Sequence, residues 1–253
     1  MTPKNLEICH GIAPYRIYRD IPRPSVADLR PFDELGVADV IDGLPAGSLL
    51  DLALRPIWPG ARILGPAVTA LNVPGDTLML HYAVEICRPG DVLVLVSEGE
   101  NPSALWGKMV SVVAQARGAA GAIVDGFVRD TAYIRESAFP VWARAISPRG
   151  STCKGPGSLN VPVVCGGVTI HPGDWILADD DGIVVIPPEQ RTAALEFGLR
   201  RRQREEAILP HLHQGVSPFE ILGLAQAVRA AGLEEHPGCS PDVAKIKQNN
   251  KER

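Results

Sequence analysis

Aromatic residues are scarce in this sequence. They fill 5 % of its 253 positions, so a core must be built mainly from Val, Ile, Leu and Ala. Cysteines are few and odd in number: Cys9, Cys87, Cys153, Cys165 and Cys239, none at Cys-x-x-Cys spacing. That pattern speaks against a zinc ribbon and a disulfide framework, and fits a reduced, cytoplasmic protein. The opening stretch MTPKNLEICHGIAPYRIYRD lacks the apolar run of a signal peptide. No segment reaches the roughly 18 apolar residues that span a bilayer, so no membrane association is expected. Basic charge is not in excess: the net charge is −4, which argues against a nucleic-acid partner. No Gly-x-Ser-x-Gly elbow is present, which leaves a serine hydrolase without support. Gly99 to Lys108 imitates a phosphate loop, but seven residues separate its glycines and Met109 replaces the required Ser or Thr.

What is present is a globular balance, 45 % hydrophobic and 21 % charged. The division expected is an N-terminal arm over 1–30, an α/β domain over 31–190, C-terminal helices over 191–233 and a polar, disordered tail over 234–253. PFDELGVADVIDGL (31–44) reads as a short helix, and ARILGPAVTALN (61–72) as a strand interrupted by Gly-Pro. TLMLHYAVEIC (77–87) has helical spacing, and VLVLVS (92–97) is a continuous β-branched run of the buried-strand kind. A helix is expected from Ser103 to a stop at Gly118, followed by the strand AGAIVDG (120–126), a short helix and the strand PVWARAI (140–146). This β-α-β-α-β order predicts parallel strands joined by crossover helices. Residues 161–187 read as antiparallel hairpins, 188–208 as a charged helix and 217–231 as a second short helix.

Several polar clusters have plain structural readings. ADDDG (178–182) lacks EF-hand spacing and reads as a β-turn. RRRQREE (200–206) is a helix face of mixed charge. His211 and His213 have no further ligands nearby, and Cys153 and Cys165 have no activating neighbour in sequence.

One stretch, WGKMVSVVAQARGAAGAIVDGFVRD (106–130), places an Arg-Asp pair after a strand that itself follows a helix opening with Gly-Lys. In open α/β sheets, strand ends and helix starts form crevices whose free N–H groups attract carboxylates. Arg129 can clamp an oxyanion in bidentate fashion, and Asp130 can hold a divalent cation. An adjacent Arg-Asp pair is also common as plain surface charge, so the residues alone leave both readings open.

GAIVDGFVRD, followed by PVWARAISP and HPGDWILADDDGIVVIP, resembles the RraA-like family over residues 35–190. The family comprises regulators of ribonuclease activity and class II 4-hydroxy-4-methyl-2-oxoglutarate aldolases. The resemblance implies an α/β fold of the swivelling β/β/α sandwich type, here with additional C-terminal helices, assembled as homotrimers or homohexamers. It implies a carbon–carbon lyase that cleaves or decarboxylates a small 2-oxo acid through a pyruvate enolate, with Mg²⁺ or Mn²⁺ as cofactor. By the family pattern Asp-x20-Arg-Asp, the backbone of Gly107, Lys108, Met109 and Val110 holds the substrate carboxylate. Arg129 then binds substrate and Asp130 the metal.

This chain departs from the pattern at Lys108, where the family aldolases have an acid; twenty residues still separate it from Arg129. Lysine cannot supply that negative charge. It either points away, binds a distal anionic group, or is itself catalytic. Glu98, Glu100 and Asp125 are the nearest acids in sequence that could replace the missing one. Retro-aldol cleavage needs an electron sink and a base, whereas β-decarboxylation needs only the sink. The lost acid is therefore expected to harm aldol cleavage more than decarboxylation. It also keeps open a non-catalytic, regulatory role.

Overall fold

The computed structural model describes residues 15–99, 101–234 and 236. Four parallel strands form its centre: β2 (Ile63–Asn72), β3 (Val92–Ser97), β5 (Gly121–Val128) and β6 (Val141–Ile146). Their order across the sheet is β6-β5-β3-β2. The crossovers contain α3 (Leu78–Ile86), α4 (Lys108–Ala116) and α5 (Thr131–Glu136). Short β1 (Arg55–Pro56) pairs antiparallel with β6. β10 (Trp175–Ala178) and β11 (Ile183–Ile186) extend the other side as an antiparallel hairpin. β4 (Ala104–Trp106) and β7 (Gly157–Leu159) attach to β5 and β2. β8 (Val163–Cys165) and β9 (Val168–Ile170) make a separate ladder.

The β-branched runs are continuous because both sheet faces are covered. Alternate side chains serve different cores. Val68, Leu93, Leu95 and Val124 pack with Leu80, Ala83, Ala114 and Ile134 of the three helices. Val92, Val94, Ile123 and Trp142 pack with Val163, Cys165 and Ile170 of the β8–β9 ladder. A third cluster joins Phe32, Leu35, Trp175, Leu177 and Ala194.

Gly65-Pro66 does not interrupt β2. It marks a change of partner: residues 63–66 pair antiparallel with β10, and the parallel ladder with β3 begins at Ala67. Pro66, without an N–H, stands where one ladder ends and the other begins. The expected helix over 31–44 is broken into two short 3-10 turns, Arg30–Phe32 and Ile41–Gly43, and one helical turn, α2 (Val37–Val40). Gly36 is extended there, and carboxylates take the amides at the start of the turn: Asp39 accepts from Gly36 N, and Asp179 from Val37 N at 2.7 Å. ADDDG forms the β10–β11 turn, as its composition predicts. Its aspartates cap neighbours, Asp180 accepting from Gly60 N.

The arm's residues 15–25 lie along the body, preceding the short helix α1 (Val26–Leu29). Leu159 exchanges backbone bonds with Arg16 and Tyr18, and Arg23 grips the buried Asp91 with two nitrogens at 2.9 and 2.8 Å. Residues 1–14, and most of the tail expected to be disordered, fall outside the described residues. By its contacts the chain forms two units, Met1–Arg202 and Gln203–Arg253. The charged helix is α6 (Arg191–His213). The second expected helix is split by Gly223 into α7 (Pro218–Ile221) and α8 (Leu224–Ala230). Among the described residues no helix is long and apolar enough to cross a membrane.

Candidate active site

Ser103 does not start the helix that precedes the Arg-Asp pair. Ala104–Trp106 is extended and buried as β4, pairing with the last residues of β5, and α4 begins only at Lys108 with Gly107 as its N-cap. Local helical periodicity is overridden there by the ladder and by Trp106. Its ring stacks on Phe139 at 5.9 Å, and its indole N–H donates to Ser111 Oγ at 2.8 Å. The same ladder brings the two halves of the motif together. Arg129 N donates to Trp106 O at 2.9 Å, so the end of β5 lies against the start of α4. Asp130 then takes the left-handed conformation (φ 57°) and begins α5.

Asp130 Oδ2 accepts from Lys108 N at 2.9 Å and lies 3.8 Å from Arg129 Nε. Gly107 makes this approach feasible. A Cβ there would stand 2.8 Å from Asp130 Oδ2 and 3.0 Å from Arg129 Cγ. The Arg129 and Asp130 side chains remain 45 % and 43 % exposed. They are therefore open to a ligand as well as to each other.

Both residues line a crevice of about 240 Å³ together with Gly107, Lys108, Met109 and Val110. All six sequence-predicted site residues thus meet at one place. The opposite wall carries Thr77, His81, Ser151 and Cys153. Thr77 Oγ1 lies 3.1 Å from Ser151 Oγ and 3.2 Å from Cys153 Sγ. Sequence reasoning left Cys153 as a structural residue; the fold puts its exposed thiol on the crevice wall. Cys165 is buried, and burial pushes its thiol up, out of nucleophilic range.

Asp76 builds that far wall. Its carboxylate accepts from Leu78 N at 2.8 Å, Thr152 Oγ1 at 2.8 Å and Lys154 N at 2.6 Å, pinning residues 151–154 to the start of α3. Burial pushes the Asp76 carboxyl up, but these hydrogen bonds outweigh it and hold the group below the usual carboxylate range. A depressed value means stability that is present above the unfolded pKa of about 4 and lost as pH falls through the folded value. Asp76→Asn is expected to cost about 2–3 kcal/mol at pH 7 and less at pH 3, below the unfolded value. Denaturant unfolding of both proteins at the two pH values checks this. An equal penalty at both would mean the charge is not what holds the wall.

Lys108 lines the crevice, but its ammonium rests over the Tyr133 ring, 4.9 Å from the centroid. It contacts Asp130 through its backbone N–H alone. Neither described acid proposed as a replacement reaches the crevice. Asp125 is bound by Arg144 Nε and accepts from Gly166 N at 2.7 Å, while Glu98 accepts the Tyr15 hydroxyl at 3.1 Å. Glu100 falls outside the described residues. Among the described residues, no cluster of three or more His, Cys, Asp or Glu is arranged to enclose a metal.

Comparison with known proteins agrees with this architecture. The chain is 35 % identical over 171 residues to a putative 4-hydroxy-4-methyl-2-oxoglutarate aldolase of Halalkalibacterium halodurans, covering 68 % of this chain and 80 % of that protein. It is 33 % identical over 154 residues to a 4-hydroxy-4-methyl-2-oxoglutarate aldolase of Thermus thermophilus, covering 61 % of this chain and 93 % of the relative. The crystal structure of Streptomyces coelicolor RraAS2, described as an unusual member of the RNase ES inhibitor RraA family, superposes with a TM-score of 0.67 at 30 % identity. That superposition covers 74 % of this chain and 98 % of RraAS2, so the fold is the RraA-like α/β fold with an added long C-terminal helix. A family profile described as RraA-like, Aldolase/RraA, matches residues 37–185, and the chain belongs to that family.

Proposed function

We propose that this protein is a divalent-metal-dependent carbon–carbon lyase acting on a small 2-oxo acid. One observation carries the reading. The start of α4, Arg129 and Asp130 converge on a single crevice although twenty residues separate Lys108 from Arg129. The aldolase relatives support the lyase class. Assembly into trimers or hexamers belongs to the same reading.

The site's donor set fits Mg²⁺ or Mn²⁺. These ions commonly take one or two protein carboxylates and complete their shell with water and substrate oxygens. Asp130, at the start of α5 and open to solvent, is the carboxylate that would hold the ion. When bound, such an ion supplies Lewis-acid polarisation of the 2-oxo group.

The chain's own groups divide the remaining work. Lys108 N already donates to Asp130, and the next N–H groups of α4, those of Met109 and Val110, have no intrahelical acceptors and suit the substrate carboxylate. Arg129 offers charged donors to the 2-oxo oxygen, where negative charge accumulates as the carbon–carbon bond breaks. In β-decarboxylation the bond from C3 to the leaving carboxylate breaks and carbon dioxide departs. Its electron pair forms the enolate, and a proton added at C3 completes pyruvate. No base is needed to start that sequence. Retro-aldol cleavage needs one, and Lys108 stands where the family aldolases have an acid. Decarboxylation is therefore the reaction this site favours.

The test is pyruvate formation from oxaloacetate by metal-stripped protein to which Mg²⁺ or Mn²⁺ is returned. Release above the metal-only background is expected. No release from oxaloacetate or from 4-hydroxy-4-methyl-2-oxoglutarate would favour the second reading, a regulator of the RraA kind. That reading is motivated by the likeness to RraAS2 and by Lys108 itself.

A further inference from the structure

The crevice is lined by more positive than negative side chains: Lys108 and Arg129 against Asp130. The Asp130 carboxylate is already shared, accepting from Lys108 N and lying beside Arg129 Nε. The Lys108 ammonium has no carboxylate within ion-pair distance among the described residues. It is parked over the ring of Tyr133, in the first turn of α5, whose N–H donates to Asp130 O at 3.0 Å. A cation over a partly exposed ring is held weakly and can be drawn off by a stronger partner. The facing wall offers only neutral hydroxyls, a thiol and His81. Lys108 is thus the lining cation left over once Arg129 engages the 2-oxo end.

We infer that Lys108 binds a second carboxylate, one that the reaction retains rather than releases as carbon dioxide, at the end of the substrate remote from its 2-oxo acid group, and so determines substrate choice. The inference rests on the lyase reading. Tyr133 is the resting place from which the ammonium moves to the ligand. Exchanging the ring for a carboxylate replaces a weak contact by a charge-assisted hydrogen bond. A ligand of the same length without the distal charge gains nothing from Lys108.

Two probes of equal chain length separate the cases: 2-oxoglutarate, with a distal carboxylate, and 2-oxopentanoate, without one. Their dissociation constants are to be measured by calorimetry on the full chain with Mg²⁺ present. The wild type is expected to prefer 2-oxoglutarate, and Lys108→Met to reduce that preference about tenfold. Lys108→Arg, which keeps the charge, should restore most of it. Lys108 is exposed, so the variants should fold, and thermal unfolding verifies it. Equal wild-type affinity for the two probes, or a preference that survives Lys108→Met, would overturn the inference while leaving the lyase reading standing. Preference without pyruvate release from either oxaloacetate or 4-hydroxy-4-methyl-2-oxoglutarate would remove the lyase reading and keep the carboxylate site. If neither probe binds while pyruvate is released from oxaloacetate, the inference falls and the lyase reading stands.

Discussion

Asp130→Asn is expected to lower metal-dependent pyruvate formation by at least about 100-fold with little change in stability. Asparagine keeps the size of the side chain and an acceptor for Lys108 N, which Asp130 now satisfies at 2.9 Å. It also tolerates the left-handed backbone found at this position, φ 57°. What it removes is the negative charge, and with it the means of holding a divalent ion. Asp130→Ala is a poorer probe. It strips the amide's acceptor and puts a less tolerant residue at positive φ, a structural loss of about 1 kcal/mol besides the chemical one. The two variants therefore separate chemistry from architecture. Steady-state rates over a Mg²⁺ titration, beside thermal unfolding, measure both. An Asn variant with wild-type rates at saturating metal would mean that Asp130 does not hold the ion, and the proposed mechanism would lose its anchor.

The second large effect is on stability. Gly65→Ala is expected to cost about 3 kcal/mol or more, a fall in Tm on the order of 10 °C. A Cβ at Gly65 would lie 2.1 Å from Gly90 O and 3.3 Å from Val92 Cγ2. The nearer atom is backbone, so no rotamer change relieves the clash, and the turn that launches β3 must move. The position matters because β2 there is leaving β10 for β3. Gly182→Ala serves as the matched control, since its Cβ would meet Leu49 Cδ1 at an ordinary 3.4 Å and is expected to cost under about 1 kcal/mol. Urea unfolding of the two variants decides the matter. Similar midpoints would show that the β2–β3 junction yields to a methyl group.

Much of the architecture was legible in the sequence. VLVLVS, AGAIVDG and PVWARAI are strands because continuous β-branched runs suit a sheet buried on both faces, and their alternation with helices dictates parallel pairing. The pairing of Gly107–Val110 with Arg129 and Asp130 was expected from the family resemblance, since the residues alone left plain surface charge as an open reading. Periodicity was less reliable where a longer-range partner competed. Ala104–Trp106 fits a helix by spacing but is claimed by β5, and Gly65-Pro66 resembles a break but is a change of neighbour. The far wall of the crevice was out of reach, since Thr77 meets Ser151 and Cys153 only across more than seventy residues, through hydrogen bonds to Asp76. So was the resting place of the Lys108 ammonium on Tyr133, and so was the pairing of Asp125 with Arg144, which withdraws a candidate acid from the site. The sequence by itself determined the central strands and most of the helices between them, because backbone preference and burial repeat at short range. Only the tertiary structure decided which side chains face the ligand and which are spent on one another, because those choices are made by contacts between segments remote in the chain.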